Sequence, residues 1–287
     1  MTKSALKKKE LGIVGTGKAG ANIAYWLSRC GWKIRTVYDI VPERAQEVAN
    51  AIPTGVAPNL ESVFKRCDIV FITVPESEMI KVLEQIQELS NTRTRTLAHT
   101  SGVLPASILE LAGLEFAKCS LHPMLSIPKL NTLQNPFRGV SFAVEGDDSG
   151  IDFAKNIVND LDCKFWKIEP GMKPIYHAAS VFATNFIYSL IAIAEELFRQ
   201  AGFPEEIIPR FISSAITHSM KNYLEHGFPD GITGPLVRDD YETISIHLLA
   251  LKDSDFISFY CEAMRVLADI LGKRKEFEQT LEKFGNL

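Results

Sequence analysis

Cysteine is scarce in this sequence, with five residues (Cys30, Cys67, Cys119, Cys163 and Cys261) among 287. None forms a C-x-x-C pair and an odd count leaves one over, so a disulfide framework is not indicated and a reducing, cytoplasmic setting is expected. Excess positive charge is missing too. The 31 Lys and Arg are outnumbered by 35 Asp and Glu, for a net charge of −4. Nucleic acid is therefore not an expected partner, because affinity for a phosphate backbone depends on clustered cations. His, Cys and acidic residues show no metal-ligand spacing, and no metal is expected. A long apolar run is also lacking. Residues 174–194 hold no Asp, Glu, Lys or Arg, but they include His177, Asn185, serines, a threonine and tyrosines. The strongly apolar part, 186–194, falls far short of the roughly 20 residues that cross a bilayer. The stretch reads as a helix buried on nearly all sides, and no membrane partner is expected. The opening MTKSALKKKELGIVG has the charge of a signal peptide but runs into glycine instead of an apolar core. No export signal is expected, and Lys3, Lys7, Lys8 and Lys9 read as a solvated tail.

What is present is ordinary globular composition, 46% hydrophobic and 23% charged, in a length that suits two domains of about 100–200 residues. Up to about Ile168, β-rich runs alternate with helical patterns: 11–15, 33–39, 68–74, 94–100, 116–122 and 140–146. That alternation predicts an α/β fold with a doubly wound parallel sheet. Ile13-Val14 and residues 69–74 are nearly all apolar, as central strands covered on both faces should be. After Glu169-Pro170-Gly171 the strand signals stop, and 3.6-residue periodicity predicts helices near 172–201, 205–225, 240–252, 254–271 and 274–284. The expected domains are 1–169, a dinucleotide-binding Rossmann unit, and 170–287, an all-helical substrate and dimerisation unit.

Gly15-Thr16-Gly17-Lys18-Ala19-Gly20 is a complete G-x-G-x-x-G that follows an apolar strand and opens a helix. Gly15 suits the tight turn, Gly17 lets a pyrophosphate approach the backbone, and Gly20 lets helix and sheet pack closely. Asp39 ends the second strand, where an acid accepts hydrogen bonds from the adenosine ribose and repels a 2′-phosphate. NAD is thereby favoured over NADP, with Arg44 as the competing observation and a helix cap near Pro42 as the plain alternative for Asp39. Thr73, Val74 and Pro75 end the next apolar strand, where they either line the adenosine or pyrophosphate side or merely stop the strand.

Two further strand ends carry His99-Thr100-Ser101-Gly102 and Leu121-His122-Pro123-Met124. Each puts a histidine where the nicotinamide end should arrive, and hydride transfer at a carbonyl or imine must be matched by proton transfer at the heteroatom. His122 and His99 are candidates for that task, and Ser101 suits a carboxylate or developing oxyanion. The bland reading of either histidine is a hydrogen-bonded structural residue. In the helical half, His177, Val181 and Asn185 fall on one face at i, i+4, i+8; with Thr184, they serve either structure or a ligand. Gly231 to Asp240 reads as a loop followed by a helix start capped by Asp239 or Asp240. There Thr233, Gly234 and Arg238 either hold an anionic substrate group or form an ion-paired cap.

The ordered set GTGKAG, TVP, HTSG, LHPM, YHAASVFATNF (176–186) and GITGPLVRDDYETISIHL (231–248) resembles a Rossmann-like oxidoreductase family whose C-terminal half is domain of unknown function 2520. Its broader relatives are pyrroline-5-carboxylate reductases, β-hydroxyacid dehydrogenases, 6-phosphogluconate dehydrogenase and, at the HPM step, prephenate dehydrogenases. The resemblance implies a dinucleotide-binding domain followed by a helical domain of the 6-phosphogluconate dehydrogenase C-terminal type, and a homodimer through the helical half. It implies no substrate. The β-hydroxyacid dehydrogenases carry a catalytic lysine on the first long helix of the second domain, where this chain offers His177 and Asn185; Lys173, ahead of Pro174, does not match it. The expectation is an NAD(P)-dependent oxidoreductase acting on a small anionic carbonyl, hydroxy or imine metabolite held between the domains. His122, His177, Ser101 and Asn185 are the catalytic candidates; His99, Thr233, Gly234 and Arg238 are the substrate-binding ones. A non-catalytic dinucleotide-binding regulator or scaffold is the alternative from another class.

Overall fold

The structure is a computed structural model that describes residues 9–113 and 115–284; Lys3, Lys7 and Lys8 of the expected tail lie outside them. Each apolar run becomes a strand. β1 (Glu10–Val14), β2 (Lys33–Tyr38), β4 (Ile69–Ile72), β5 (Thr96–His99), β6 (Ala117–Pro123) and β7 (Ser141–Gly146) form the body of an eight-stranded sheet. Two short edge strands, β3 (Gly55–Val56) and β8 (Lys164–Lys167), complete it in the order β3-β2-β1-β4-β5-β6-β7-β8. These two have no apolar run: β3 is two exposed residues and β8 reads KFWK. The central strands pack on both faces. On β4, Ile69 and Phe71 join one core cluster while Val70 and Ile72 join the other.

Helices α1 (Lys18–Arg29), α2 (Pro42–Ala51), α3 (Leu60–Arg66) and α4 (Glu76–Gln87) make the crossovers, and α5 (Asp148–Asp160) joins β7 to β8. Strand order reverses at β1, which pairs with β2 on one side and β4 on the other. The carboxyl ends of β1 and β4 therefore open the crevice at which open α/β sheets bind ligands. The sheet departs from the all-parallel expectation at one seam, since β7 pairs antiparallel with β6 and parallel with β8. The link from β6 to β7, residues 124–140, contains no helix, and a return without a crossover helix brings the chain back antiparallel.

The chain divides into two compact units, one ending at Asn185 and the other beginning at Phe186. The change from alternating to all-helical pattern comes earlier, after Gly171, because α6 (Lys173–Ala183) packs with the first unit. The second unit contains most of α7 (Asn185–Gln200), then α8 (Ile208–His226), α9 (Tyr241–Leu251), α10 (Ile257–Ile270) and α11 (Arg274–Glu282). Its core gathers Leu236, Ile244, Leu248, Cys261, Met264, Phe277 and Leu281.

The expectation of one buried helix over 174–194 is corrected. The backbone leaves helical geometry at Thr184 (φ −128°, ψ −67°), whose Oγ1 donates to the Ser180 carbonyl at 2.7 Å and to Asn185 Oδ1 at 2.9 Å. Such local side-chain bonds compete with the helix ladder. Nor is the stretch buried: α7 has no buried residue, and Phe182 and Tyr188 are 68% and 67% exposed. By length and composition alone, Lys173–Gln200 meets the criterion for a bilayer span. Its beginning is nevertheless anchored on the sheet, because Lys173 is 1% exposed and bonded to residues of the β5 and β6 strand ends.

Candidate active site

A cleft of about 750 Å³ lies over the carboxyl ends of β1 and β4, running from Asp39 and Arg44 past the glycine turn to Thr100 and Ser101. Gly15 holds φ at +89° and donates its N–H to the Tyr38 carbonyl at 2.8 Å, a turn that only glycine makes without strain. Gly20 is needed for packing. A Cβ there would sit 2.0 Å from the Gly15 oxygen and 2.4 Å from Thr73 Oγ1. At Gly17 a Cβ would meet nothing within 4 Å, and no side chain caps α1. Open space, an uncapped helix N-terminus and the length of the cleft together fit a dinucleotide pyrophosphate.

Thr73 braces this turn from β4, its hydroxyl donating to the carbonyls of Gly15 (2.5 Å) and Val14 (3.1 Å). Val74 and Pro75 line the cleft, with Pro75 at the start of α4. Asp39 is mostly committed within the chain. Its Oδ2 accepts from Thr16 N (2.6 Å) and Thr16 Oγ1 (3.1 Å), and its Oδ1 accepts from Val41 N at 2.9 Å. A carboxylate has about four lone-pair positions, so little remains for a ribose diol.

At the Ser101 end, β5, β6 and α6 bring a polar cluster together. Lys173, buried beneath it, donates from Nζ to the Ser101 carbonyl (2.5 Å) and to Ser120 Oγ. Burial pulls the Lys173 ammonium down to about 8, against the opposing pull of Glu145 and Glu76. Glu145 stands opposite Ser120 across the β6–β7 pair, 7% exposed, with its Oε2 unpartnered. His122 Nδ1 shares a 2.9 Å hydrogen bond with the Tyr176 hydroxyl. The other face of His122 meets His177, ring centroids 5.7 Å apart at 72°. Gly102 makes room for both, since a Cβ there would lie 2.3 Å from His177 Cδ2 and 2.9 Å from His122 Nε2. Burial, then Lys173, then His177 lower His122 to about 4, so the ring is neutral near pH 7. Tyr176 is raised by burial and keeps its proton.

Two family models match the chain: residues 10–94 match the NADP oxidoreductase coenzyme F420-dependent family, and residues 140–266 match the domain of unknown function DUF2520. Together with the fold, these two matches make the chain similar to Rossmann-type oxidoreductases. Among its relatives is the pyrroline-5-carboxylate reductase of Escherichia coli (strain K12), 22% identical over 90% of this chain and 95% of that protein. A Thermotoga maritima protein shares the fold with a TM-score of 0.71 at 22% identity, over 93% of this chain and 99% of that one. The Plasmodium falciparum pyrroline carboxylate reductase, solved with NADP bound, shares it with a TM-score of 0.60 at 17% identity, over 95% and 99%. The α/β fold with a helical C-terminal domain and the use of NAD(P) are the family's.

In this chain the sequence candidates are distributed unevenly. Gly15, Thr16, Gly17, Lys18, Ala19, Gly20, Asp39, Thr73, Val74 and Pro75 all lie around the glycine turn. Ser101, His122 and His177 come together. Ser101 Oγ also accepts from Val103 N (3.3 Å) and Leu104 N (3.0 Å), closing its own turn. His99 is corrected from a substrate ligand to a structural residue. It is fully buried, with Nε2 donating to the Pro105 carbonyl (3.2 Å) and Nδ1 accepting from Ser101 N (3.2 Å), and burial lowers it to about 3. Asn185 is exposed and bonded to Thr184, and the break there interrupts the face it was to share with His177.

In the second unit, Thr233 and Arg238 are exposed and Gly234 takes φ +113°. Asp240 caps α9, accepting from Thr243 N at 3.0 Å, and Arg238 reaches it only at 4.0 Å. The neighbouring Asp239 pairs with Lys273 at 2.7 Å. This local arrangement is that of a helix cap.

Sequence reasoning missed Lys173, Tyr176, Ser120 and Glu145. One signal was available. Lys173, Tyr176, His177 and Ser180 fall at i, i+3, i+4, i+7, the stripe of one helix face, and Lys173 and Ser180 are the buried residues of α6.

Proposed function

We propose that the protein transfers hydride between a nicotinamide dinucleotide in the cleft and a small anionic carbonyl, hydroxy or imine compound at the His122 face. The observation that carries this reading is His122, held at Nδ1 by Tyr176 and with Nε2 beside Gly102, next to the Ser101 end of the cleft. The dinucleotide supplies or accepts the hydride. The chain supplies the rest: with Tyr176 donating to Nδ1, the proton of neutral His122 sits on Nε2, and that N–H donates a hydrogen bond to the reacting heteroatom while staying on the ring. That bond stabilises charge developing there. His177, half-buried beside it, is suited to carry a proton between solvent and the heteroatom. An imine carboxylate is favoured as the substrate class, because a relative's name describes a pyrroline carboxylate. Arg238, Thr233 and Gly234 remain the proposed anion ligands of the second unit.

The test is NADPH and NADH oxidation against a panel of cyclic imine carboxylates and 2-oxo acids, with His122→Ala alongside. Turnover by the wild type and its loss in His122→Ala, with nucleotide affinity retained, supports the reading. An unaltered rate in the variant overturns the role of His122. Saturable nucleotide binding with no turnover anywhere on the panel favours a regulator or scaffold.

We also propose a homodimer through the second unit, whose helices expose Tyr188, Leu190, Leu224, Leu249 and Val266. Large apolar side chains left exposed on several helices of one unit favour an interaction surface. Light scattering at twice 32.0 kDa supports it, and a mass of 32.0 kDa at micromolar concentration refutes it.

A further inference from the structure

The turn after β5 leaves one backbone donor unclaimed. Ser101 N donates to His99 Nδ1 (3.2 Å), and Val103 N and Leu104 N donate to Ser101 Oγ (3.3 and 3.0 Å). Gly102 is buried in the same turn, yet its N–H meets no acceptor among the described residues. Buried N–H groups of that kind are rare, because each forfeits a hydrogen bond that water would have made.

The direction of this donor is fixed from the buried side. The Ser101 carbonyl accepts from Lys173 Nζ (2.5 Å), which also donates to the fully buried Ser120 Oγ. The Ser101–Gly102 peptide is trans, so its N–H points opposite to its C=O and therefore away from Lys173. A carbonyl that accepts from a charged donor polarises its own peptide, which strengthens the N–H. The two imidazoles stand beside it. From the point that a Gly102 Cβ would occupy, His122 Nε2 is 2.9 Å away and His177 Nε2 3.0 Å. Two bonds of about 1.5 Å separate that point from Gly102 N. Gly102 N and His122 Nε2 are therefore no more than roughly 6 Å apart, about two hydrogen-bond lengths. The local field also suits an anion. After burial, the Lys173 charge is what most disfavours protonation of both His99 and His122, and Glu76 opposes it at His122 as the smallest influence.

We propose that the Gly102 N–H is the seat of a substrate carboxylate oxygen, with Lys173 the positioning residue that aims it. The proposal rests on the hydride-transfer reading above, in which His122 Nε2 meets the reacting heteroatom. In a 2-oxo acid, and in a cyclic imine with its carboxylate beside the nitrogen, one carbon carries both the heteroatom and the carboxylate. The two groups then fall within the span of two neighbouring donors, His122 on one and Gly102 on the other. A carboxylate makes the Gly102 hydrogen bond charge-assisted, and so stronger than one to a neutral acceptor. The class selected is the α-carboxylate.

The experiment follows the Gly102 amide by ¹H–¹⁵N NMR in the full chain, first with NAD or NADP alone. Pyrrolidine-2-carboxylate, its carboxamide and pyrrolidine are then titrated in turn. The carboxylate should move the Gly102 proton downfield, the carboxamide should move it less, and pyrrolidine should leave it in place. The carboxylate should also bind at least about tenfold tighter than pyrrolidine, the scale of one charge-assisted hydrogen bond. Lys173→Met should lose about tenfold in carboxylate affinity and stay within about twofold for pyrrolidine. An unmoved Gly102 amide at saturating carboxylate, or equal affinity for pyrrolidine, overturns the seat while the hydride reading survives. If nucleotide alone moves the amide and the carboxylate adds nothing, the N–H serves the cofactor and the seat is refuted. Carboxylate affinity unmoved in Lys173→Met overturns the positioning role, and the wild-type titrations decide the seat even where that variant fails to fold. Binding by none of the three compounds refutes the seat, and the turnover panel above then judges the hydride reading on its own.

Discussion

The Tyr176 hydroxyl and His122 Nδ1 lie 2.9 Å apart, one residue on the first turn of α6 and the other near the end of β6. The phenol keeps its proton and the imidazole stays neutral, both because they are buried. This pairing decides which ring nitrogen of His122 faces the site. Tyr176→Phe should release the tautomer, visible as a change in the ¹⁵N shifts of His122, and should cut turnover by about fivefold, the scale of one neutral hydrogen bond. Unchanged ¹⁵N shifts would remove Tyr176 from the account.

Lys173 depresses the basicity of His122 after burial itself. Lys173→Met removes that charge, so the His122 titration should move up from about 4 toward 6.5. An NMR pH titration of the variant reads this directly, and an unmoved midpoint would show that burial alone sets it.

The two buried histidines also set an acid limit to stability. His99 and His122 titrate at about 3 and about 4 in the fold, below the ordinary 6.5. Between those values and 6.5 the unfolded chain binds more protons, so stability should rise with pH through that window. The contribution is fully present above 6.5 and is lost as pH falls through the folded values. Urea midpoints measured from pH 7 to 4 should fall, and fall less in His99→Gln if the fold tolerates that change.

Gly102→Ala puts a methyl group 2.3 Å from His177 Cδ2 and 2.9 Å from His122 Nε2. The histidine side chains must give way, so turnover should collapse while nucleotide affinity stays within about twofold, since one small side chain at this end touches none of the phosphate contacts. Equal loss of both would mean that the two histidines are not a separate chemical end of the site.

Gly20→Ala meets backbone instead, 2.0 Å from the Gly15 oxygen. Forced overpacking of this kind costs about 1–3 kcal/mol and at times more. The thermal midpoint should drop by several degrees and nucleotide binding should be lost with it.

Much of this was legible in the chain because it follows from local pattern. The apolar runs of β1 and β4, the glycine turn and the helical periodicity after Gly171 each announce themselves within a dozen residues. What was not legible depends on tertiary partners. Asp39 has the position of a ribose acid, yet Thr16 and Val41 claim it. His99 has the position of a site residue, yet Pro105 and Ser101 take both its nitrogens. Lys173 was passed over for its place before Pro174, but proline suits the first turn of a helix and leaves Lys173 at the mouth of α6, aimed at Ser120. β3 and β8 were silent because edge strands need no continuous apolar run. The uncharged stretch 174–194 suggested burial, but Thr184 breaks it and its apolar side chains stay exposed.

The most direct test of the central claim is the thermal midpoint of the purified protein with NAD, NADH, NADP and NADPH. A ligand at about 100 times its dissociation constant stabilises the fold by roughly 2.7 kcal/mol. A rise of several degrees is expected with at least one of the NAD(H) and NADP(H) pairs, and none in Gly20→Ala. No rise with any of the four would contradict the central claim.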